Sequence, residues 1–376
     1  MNQITLNAVL KPNFASNLIN MKYTFISIVS TIMLLVACGE SPEQIARKQQ
    51  AADFAASMEL EKEIGERVRK MYQPLAASAD NPENPVTEEK VRLGKILYFD
   101  KRLSKDGTQS CNSCHNMSTF GVDNLPVSPG DNGGNGTRNS PTVLNAAFHT
   151  TQFWDGRAKD VEEQAGMPIT NPVEMAIPSE DFLVERLSGI DMYNEMFAKV
   201  YADEETPLTY KNISKSIAAF ERTLITPSKW DDYLTGSAGA LTLEQKRGLN
   251  SFLNVGCISC HMGTLLGGNM FQKFGVYDNY WEYTKSAVID EGRFEVTKNE
   301  GDKYMFKVPS LRNVAETHPY FHDGSVADLG EAVKIMAKVN LNKDLTSTEV
   351  SDIVAFLGSL TGEVTEEMSS MPVELQ

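Results

Sequence analysis

Two stretches of this chain, Cys111-Asn112-Ser113-Cys114-His115 and Cys257-Ile258-Ser259-Cys260-His261, share one spacing, Cys-x-x-Cys-His. Two thiols and a neighbouring imidazole can bind zinc, form a redox disulfide, or hold a haem. On a helical turn, positions i, i+3 and i+4 lie on one face. Both thiols can then bond the two vinyl groups of one haem while the histidine ligates iron from the same side. A zinc site would have to join motifs whose first cysteines stand at 111 and 257, with no further cysteine to assist. A redox pair leaves both adjacent histidines unexplained. The chain has five cysteines, and the fifth, Cys38, lies near the N-terminus, so none remains for a separate structural disulfide. The pattern predicts two covalently bound haem c groups, attached at Cys111 and Cys114 and at Cys257 and Cys260. His115 and His261 are their proximal iron ligands.

Two haems leave two opposite axial positions. Only His149, His318 and His322 remain among the histidines, whereas there are 16 methionines. An axial methionine raises a haem potential, and an open position admits a substrate to iron. One haem of each kind would make a donor centre feeding a catalytic one.

The elements that carry these motifs repeat. VRLGKILYFDKRLSKDGTQSCNSCH parallels LEQKRGLNSFLNVGCISCH, NSPTVLN (139–145) parallels VPSLRNV (308–314), and FWDGR (153–157) parallels YFHDGS (320–325). Residues 211–225 and 347–360 carry apolar side chains at helical spacing, and strand signals are sparse. The expected fold is mainly α: two cytochrome c-like domains related by duplication, each holding one haem, joined near Thr226-Pro227. At 376 residues the chain is long enough for both. Its net charge of −15 argues against nucleic acid as a partner and permits a basic protein.

The N-terminus points out of the cytoplasm. Met21-Lys22 precedes an uncharged apolar run from Tyr23 to Ala37, too short for a comfortable membrane span. Leu35-Val36-Ala37-Cys38-Gly39 resembles a bacterial lipobox, which makes Cys38 the lipidation site of a periplasmic lipoprotein. The expected division is a mis-assigned start at 1–20, a signal peptide at 21–37 and a helical tether at 38–76. An N-terminal haem domain at 77–225 and a C-terminal one at 226–361 follow, with the tail 362–376 packing on the first.

From about residue 66 onward the motifs resemble, in order, the bacterial di-haem cytochrome c peroxidases: CNSCHN, GVDNLPVSPG, GTRNSPTVLN, FWDGRAKDVEEQAGMPITNPVEM, GCISCH, FKVPSLRNV, PYFHDG and AVKIM. The resemblance implies that hydrogen peroxide is reduced to water at the N-terminal haem, with Glu174 as acid–base and Gln164 beside it. It implies Trp154 as the electron-transfer residue between the haems and Met336 as the axial ligand of the C-terminal haem, with Met270 and Met305 as rivals. It also implies a calcium ion near Asn139, Thr317 and Pro319, a homodimer, and a small cytochrome c or cupredoxin as electron donor. His322 is expected to pack near haem, and His149 and His318 to be structural.

One departure stands out. Many members of that family carry a distal histidine in the loop after Ser128-Pro129-Gly130; here the position is Asp131, in a Gly/Asn-rich loop expected to be mobile. The expectation is a peroxidatic iron without a histidine cap, active without prior reduction of the other haem. Two rival functions share these motifs. One is a related di-haem oxidase acting on a protein or organic substrate, with Tyr277, Tyr280 or Tyr283 on the second iron. The other is a di-haem electron carrier with both irons closed.

Overall fold

The computed structural model describes residues 41–376; the apolar run and Cys38 lie outside the described residues. The chain divides into two compact units at Ser57/Met58. The described part of the first unit is helical, within α1 (Pro42–Met71). The second unit carries both Cys-x-x-Cys-His motifs, one in each of its halves.

Each half is built on a crossed helix pair. In the first half these are α2 (Glu88–Phe99) and, after the short helix α3 (Val161–Thr170), α4 (Tyr210–Glu221). In the second half they are α5 (Leu243–Val255) and, after α6 (Leu329–Leu341), α7 (Ser347–Gly358). Their starts are set by local chemistry. The side chains of Thr87, Thr209, Thr242 and Thr346 each accept a backbone N–H of the first turn. Gln245 and Glu349 complete capping boxes. One stripe of each helix is apolar and buried: Leu93, Ile96 and Leu97 on α2, Ile213, Ile217 and Phe220 on α4, and Leu249 and Phe252 on α5 against Ile353 and Phe356 on α7.

Both crossings depend on glycine. A Cβ at Gly94 would sit 1.8 Å from the Ser216 carbonyl oxygen, and one at Gly248 would sit 1.7 Å from that of Asp352. A side chain at either position would force the helices apart. The sole sheet among the described residues is a two-stranded antiparallel one, β1 (Phe271–Lys273) with β2 (Met305–Lys307), pairing Gln272 with Phe306.

The duplication is visible in hydrogen bonds. Asn145 and Asn313 both adopt φ of 61°. Asn145 N–H donates to Leu224 O and Asn313 N–H to Leu360 O. Their side-chain amides both donate to the hydroxyl oxygen of Thr226, at 2.8 and 2.9 Å. Thr226 is fully buried, so the two halves meet on one side chain. The tail returns to the first half, where Val364, Met368 and Leu375 pack on its core and Arg92 Nε donates to Glu374 at 2.9 Å. The mainly helical, two-centred fold is the one expected; the motif turns and the helices α3, α4 and α6 together line the sites.

Candidate functional site

The two Cys-x-x-Cys-His motifs open into separate cavities. Cys111, Cys114 and His115 line one of about 490 Å³. Cys257, Cys260 and His261 line another of about 190 Å³. Separate cavities rule out a single four-ligand zinc site built from both motifs. All four cysteines are free of disulfides. Burial pushes the Cys114 thiol up to about 11 and the Cys257 thiol up to about 12, so both are protonated thiols in the metal-free chain.

The turns aim the histidines. Ser110 and Ser113 cap the turn Cys111–Cys114 reciprocally. His115 Nδ1 lies 3.0 Å from Pro141 O, and His261 Nδ1 lies 2.9 Å from Leu266 O. An Nδ1–H donated to a carbonyl fixes the tautomer and leaves Nε2 as the ligand atom. Burial lowers both imidazole pKa values, favouring the neutral, ligating form. The carbonyl of His115 accepts from Tyr98 Oη at 2.6 Å, and that of His261 from Tyr72 Oη at 3.1 Å. Two thiols and one oriented imidazole on one wall of a large cavity fit a covalently attached haem in each half.

The rest of the two linings differs. The second cavity is apolar, lined by Phe252, Phe274, Phe306, Val333 and Met336. Met270 and Met305 do not line it, nor do Tyr277, Tyr280 or Tyr283. Tyr280 instead donates its hydroxyl to Asp290 O at 3.1 Å. The first cavity brings together Gln164 and Glu174, with Arg157 beside them. Burial raises the Glu174 pKa, and Arg157 and a hydrogen bond with Asn171 oppose the rise.

Helices α3 and α6 are equivalent. Asp160 caps the first and Asp328 the second. Counting from the cap, Pro168 holds the place of Met336, and each lines its own cavity. The turns before these helices match as well, with Phe153 and Phe321 at φ of 65° and 71° and Gly156 and Gly324 at 69° and 59°. Trp154 and His322 are therefore counterparts. Trp154 lines both cavities, donates Nε1–H to Asn139 O at 2.9 Å, and meets the His322 ring at 6.4 Å. His322 is buried, stacks on Phe306 and lines the second cavity.

The remaining histidines lie elsewhere. His149 is hydrogen-bonded to Lys307 Nζ at 3.0 Å and lines neither cavity. His318 lies outside both cavities as well. Its carbonyl accepts from Asn124, next to Leu125, whose carbonyl accepts from the Asn139 side chain at 2.8 Å. Asn139 and His318, the residue between Thr317 and Pro319, are thus joined by a hydrogen-bonded seam through Asn124 and Leu125.

Asp131 does not line the first cavity. It is buried, and Ser104 Oγ at 2.8 Å and Thr108 N at 3.0 Å donate to Oδ1. Burial pushes its pKa up, but hydrogen bonds from Thr108, Asp106 and Ser104 outweigh this and hold it at about 2. The loop expected to be mobile is a pinned hairpin. Gly130 N–H donates to Gly134 O at 2.7 Å, Gly136 N–H to Ser128 O at 2.9 Å, and Asn132 Nδ2 to Pro172 O at 2.6 Å. The glycines serve close approach: a Cβ at Gly130 would sit 2.1 Å from Val173 O.

Two first-cavity residues went unnoticed in the sequence. Arg138 clamps Asp290 through Nε and Nη2 at 2.6 and 2.8 Å and also pairs with Asp155, tying the FWDGR turn to the second half. Glu221 lines the cavity at the end of α4. Aligning the halves on Asn145 and Asn313 would have exposed Glu221, because its counterpart is Leu357.

A sequence model of the family described as di-haem cytochrome c peroxidase matches residues 88–239. The chain is 47% identical over 293 residues to cytochrome c551 peroxidase of Nitrosomonas europaea, covering 77% of this chain and 84% of the relative. It is 46% identical over 284 residues to cytochrome c551 peroxidase of Pseudomonas aeruginosa, covering 74% and 80%. Its fold is similar to the crystal structure of a MauG-like protein associated with microbial copper homeostasis, with a TM-score of 0.70 and 30% identity, covering 79% of this chain and 97% of the other.

Proposed function

The chain belongs to the di-haem cytochrome c peroxidase family, and from that premise we propose that it reduces hydrogen peroxide to water at its first haem site. Electrons enter through the second haem from a small cytochrome c or cupredoxin. The observation that carries this reading is the contrast between equivalent cavity walls: Met336 in the second, and Pro168 with Glu174 and Gln164 in the first. Proline has no donor atom for iron, so α3 leaves room for a substrate.

Cys111, Cys114 and His115 hold one haem, and Cys257, Cys260, His261 and Met336 the other. Haem supplies a Lewis-acidic iron for the peroxide oxygen and the electrons that cleave the O–O bond. Glu174 takes a proton from one peroxide oxygen and delivers it to the leaving oxygen. Desolvation raises its pKa and Arg157 opposes the rise, which keeps the group able to exchange a proton. Gln164 holds the peroxide by hydrogen bonding. Trp154, on the wall between the cavities, serves electron transfer.

Asp131 is committed to the Ser104–Thr108 turn and supplies no cap. The first site is therefore open in the oxidised enzyme, without prior reduction of the second. The functional division is a tether at 38–76, a peroxidatic domain at 77–225 with the tail 362–376, and an electron-transfer domain at 226–361. A calcium ion at the Asn139–Thr317–Pro319 seam, a homodimer and a periplasmic lipoprotein anchored at Cys38 complete the proposal.

The test is an electron paramagnetic resonance spectrum of the fully oxidised, haem-loaded protein, followed by rapid mixing with peroxide. A high-spin signal beside a low-spin one, with an immediate optical change, is expected. Two low-spin signals and no change until half-reduction would overturn the open-site reading.

A further inference from the structure

The two halves can be superposed residue by residue along their last helices. Asn145 binds Leu224 O and Asn313 binds Leu360 O through backbone N–H. Asn145 Oδ1 accepts Thr226 N–H and Asn313 Oδ1 accepts Gly362 N–H, each at 2.9 Å. The glycine crossings pair Ser216 with Asp352. All three matches give the same register, and in that register Glu221 on α4 corresponds to Leu357 on α7. Both are buried, at 5% and 3% exposure, and each lines the cavity of its own half. One cavity therefore has a carboxyl where the other has a hydrocarbon.

Glu221 is not part of an ion-pair network. Its neighbour Arg222 turns to Glu162, donating through Nε and Nη2 at 2.8 and 2.7 Å, and to Ala79 O. Oε2 of Glu221 is buried without a hydrogen-bond partner. The groups close enough to influence it are Glu162 and Arg222, together with Cys111 and Tyr98 across the cavity wall. Cys111 becomes a neutral thioether when haem is attached, and Tyr98 is committed to His115 O. Burial, with repulsion from Glu162, pushes the Glu221 carboxyl up to about 8 against the pull of Arg222. A buried acid without a fixed partner costs least when neutral.

Resting on the di-haem reading above, we propose that Glu221 is the proton acceptor coupled to reduction of the first haem, a carboxyl coupling that the second half lacks because Leu357 stands in its place. Reducing ferric to ferrous iron removes one positive charge from the cavity. A carboxylate beside it loses its compensation in a low-dielectric site, so its proton affinity rises. The step balances as one electron from the donor, passed through the second haem, and one proton from solvent: ferric haem with Glu221 carboxylate becomes ferrous haem with Glu221 carboxylic acid. By linkage, reduction of the first haem becomes harder as pH rises, approaching a tenfold change in its equilibrium constant for each pH unit. Glu221 is a positioning residue for charge; Glu174 remains the acid–base group for peroxide.

The experiment is a redox titration of the holoprotein at pH values either side of 8, with the first haem identified as the one whose spectrum cyanide changes. In the unmodified protein the first haem is expected to be pH-dependent around 8, with Glu174 on the same cavity acting at lower pH, and the second haem to show only the separate dependence set by Lys307 on its own cavity. Glu221→Gln, which copies the neutral acid in shape, is expected to flatten the first haem in that range and leave the second unchanged. A first haem flat there in the unmodified protein, or a slope there that survives Glu221→Gln, would overturn the proposal. If that variant fails to load haem, a redox-difference infrared spectrum of the unmodified protein decides. A protonated carboxyl band must grow as the first haem is reduced, and its absence overturns the coupling. Haem counting by alkaline pyridine spectrum keeps the two readings apart. Fewer than two thioether-linked haems overturns the di-haem reading and this one with it, whereas two haems with no coupling overturns only this one.

Discussion

Pro168 stands on its helix where Met336 stands on the helix of the second half, each at the same distance beyond a capping aspartate, Asp160 or Asp328. This pair divides the labour of two otherwise similar cavities. A thioether in one can close an iron, and a proline in the other cannot. The proline also lacks an N–H for the bond back to Gln164, and α3 ends two residues on, at Thr170.

Exchanging the ligand class at these positions is the direct check. Pro168→Met is expected to close the first iron and abolish cyanide binding and peroxide turnover, with both haems low-spin by paramagnetic resonance. Met336→Ala is expected to do the reverse at the second haem, making it high-spin and lowering its potential. An unchanged second haem in Met336→Ala would reassign the axial ligand.

Glu174→Gln removes the proton exchanger and keeps the shape. Peroxide turnover is expected to fall about 10²–10⁴-fold, while haem content and cyanide affinity stay close to those of the parent. Burial raises the Glu174 pKa, and the carboxylate form accepts the proton. The rate constant for peroxide should therefore fall as pH drops through that raised value, above the ordinary 4.5, and this acid limb should vanish in the variant.

Asp131→Asn tests a structural role. The carboxyl sits at about 2 in the folded state against an ordinary 3.8, so it stabilises the fold above the higher value. That contribution is lost as pH falls through the lower one and amounts to about 2 kcal/mol at neutral pH. Chemical denaturation should show a loss of this order at pH 7 that disappears in strong acid. The iron spectra should not change.

Trp154→Phe keeps an aromatic ring between the cavities but loses the Nε1–H donated to Asn139 O. Slower electron transfer from the second to the first site, with unchanged peroxide binding, is the expected result of stopped-flow mixing of half-reduced enzyme. Equal rates would leave Trp154 a packing residue alone.

The internal architecture is anchored by a buried pair as well. Arg312 donates to both oxygens of Asp231 at 2.7 and 2.8 Å. Asp231→Ala strands a buried guanidinium and should cost about 3–5 kcal/mol by denaturation.

The sequence by itself made the two haem motifs and the duplication legible. Cys-x-x-Cys-His is a local pattern, and one helical turn is enough to place its three side chains on a face. The repeated glycines, asparagines and aromatic-x-Asp-Gly turns are likewise legible because each obeys a local backbone demand. The opposite walls were decided by tertiary structure. Trp154 could be placed at both cavities, and Met336 separated from Met270 and Met305, only once α6 was packed over its cavity. Asp131 read as the place of a missing histidine in a mobile loop until the Ser104–Thr108 turn was seen to hold it. Glu221 was invisible as chemistry, because a glutamate late in a helix is ordinarily a solvated charge; only the crossing at Gly94 buries it, at the place Leu357 holds in the second half. Spacing along the chain specifies what shares a turn. What shares a cavity depends on how close two helices can approach.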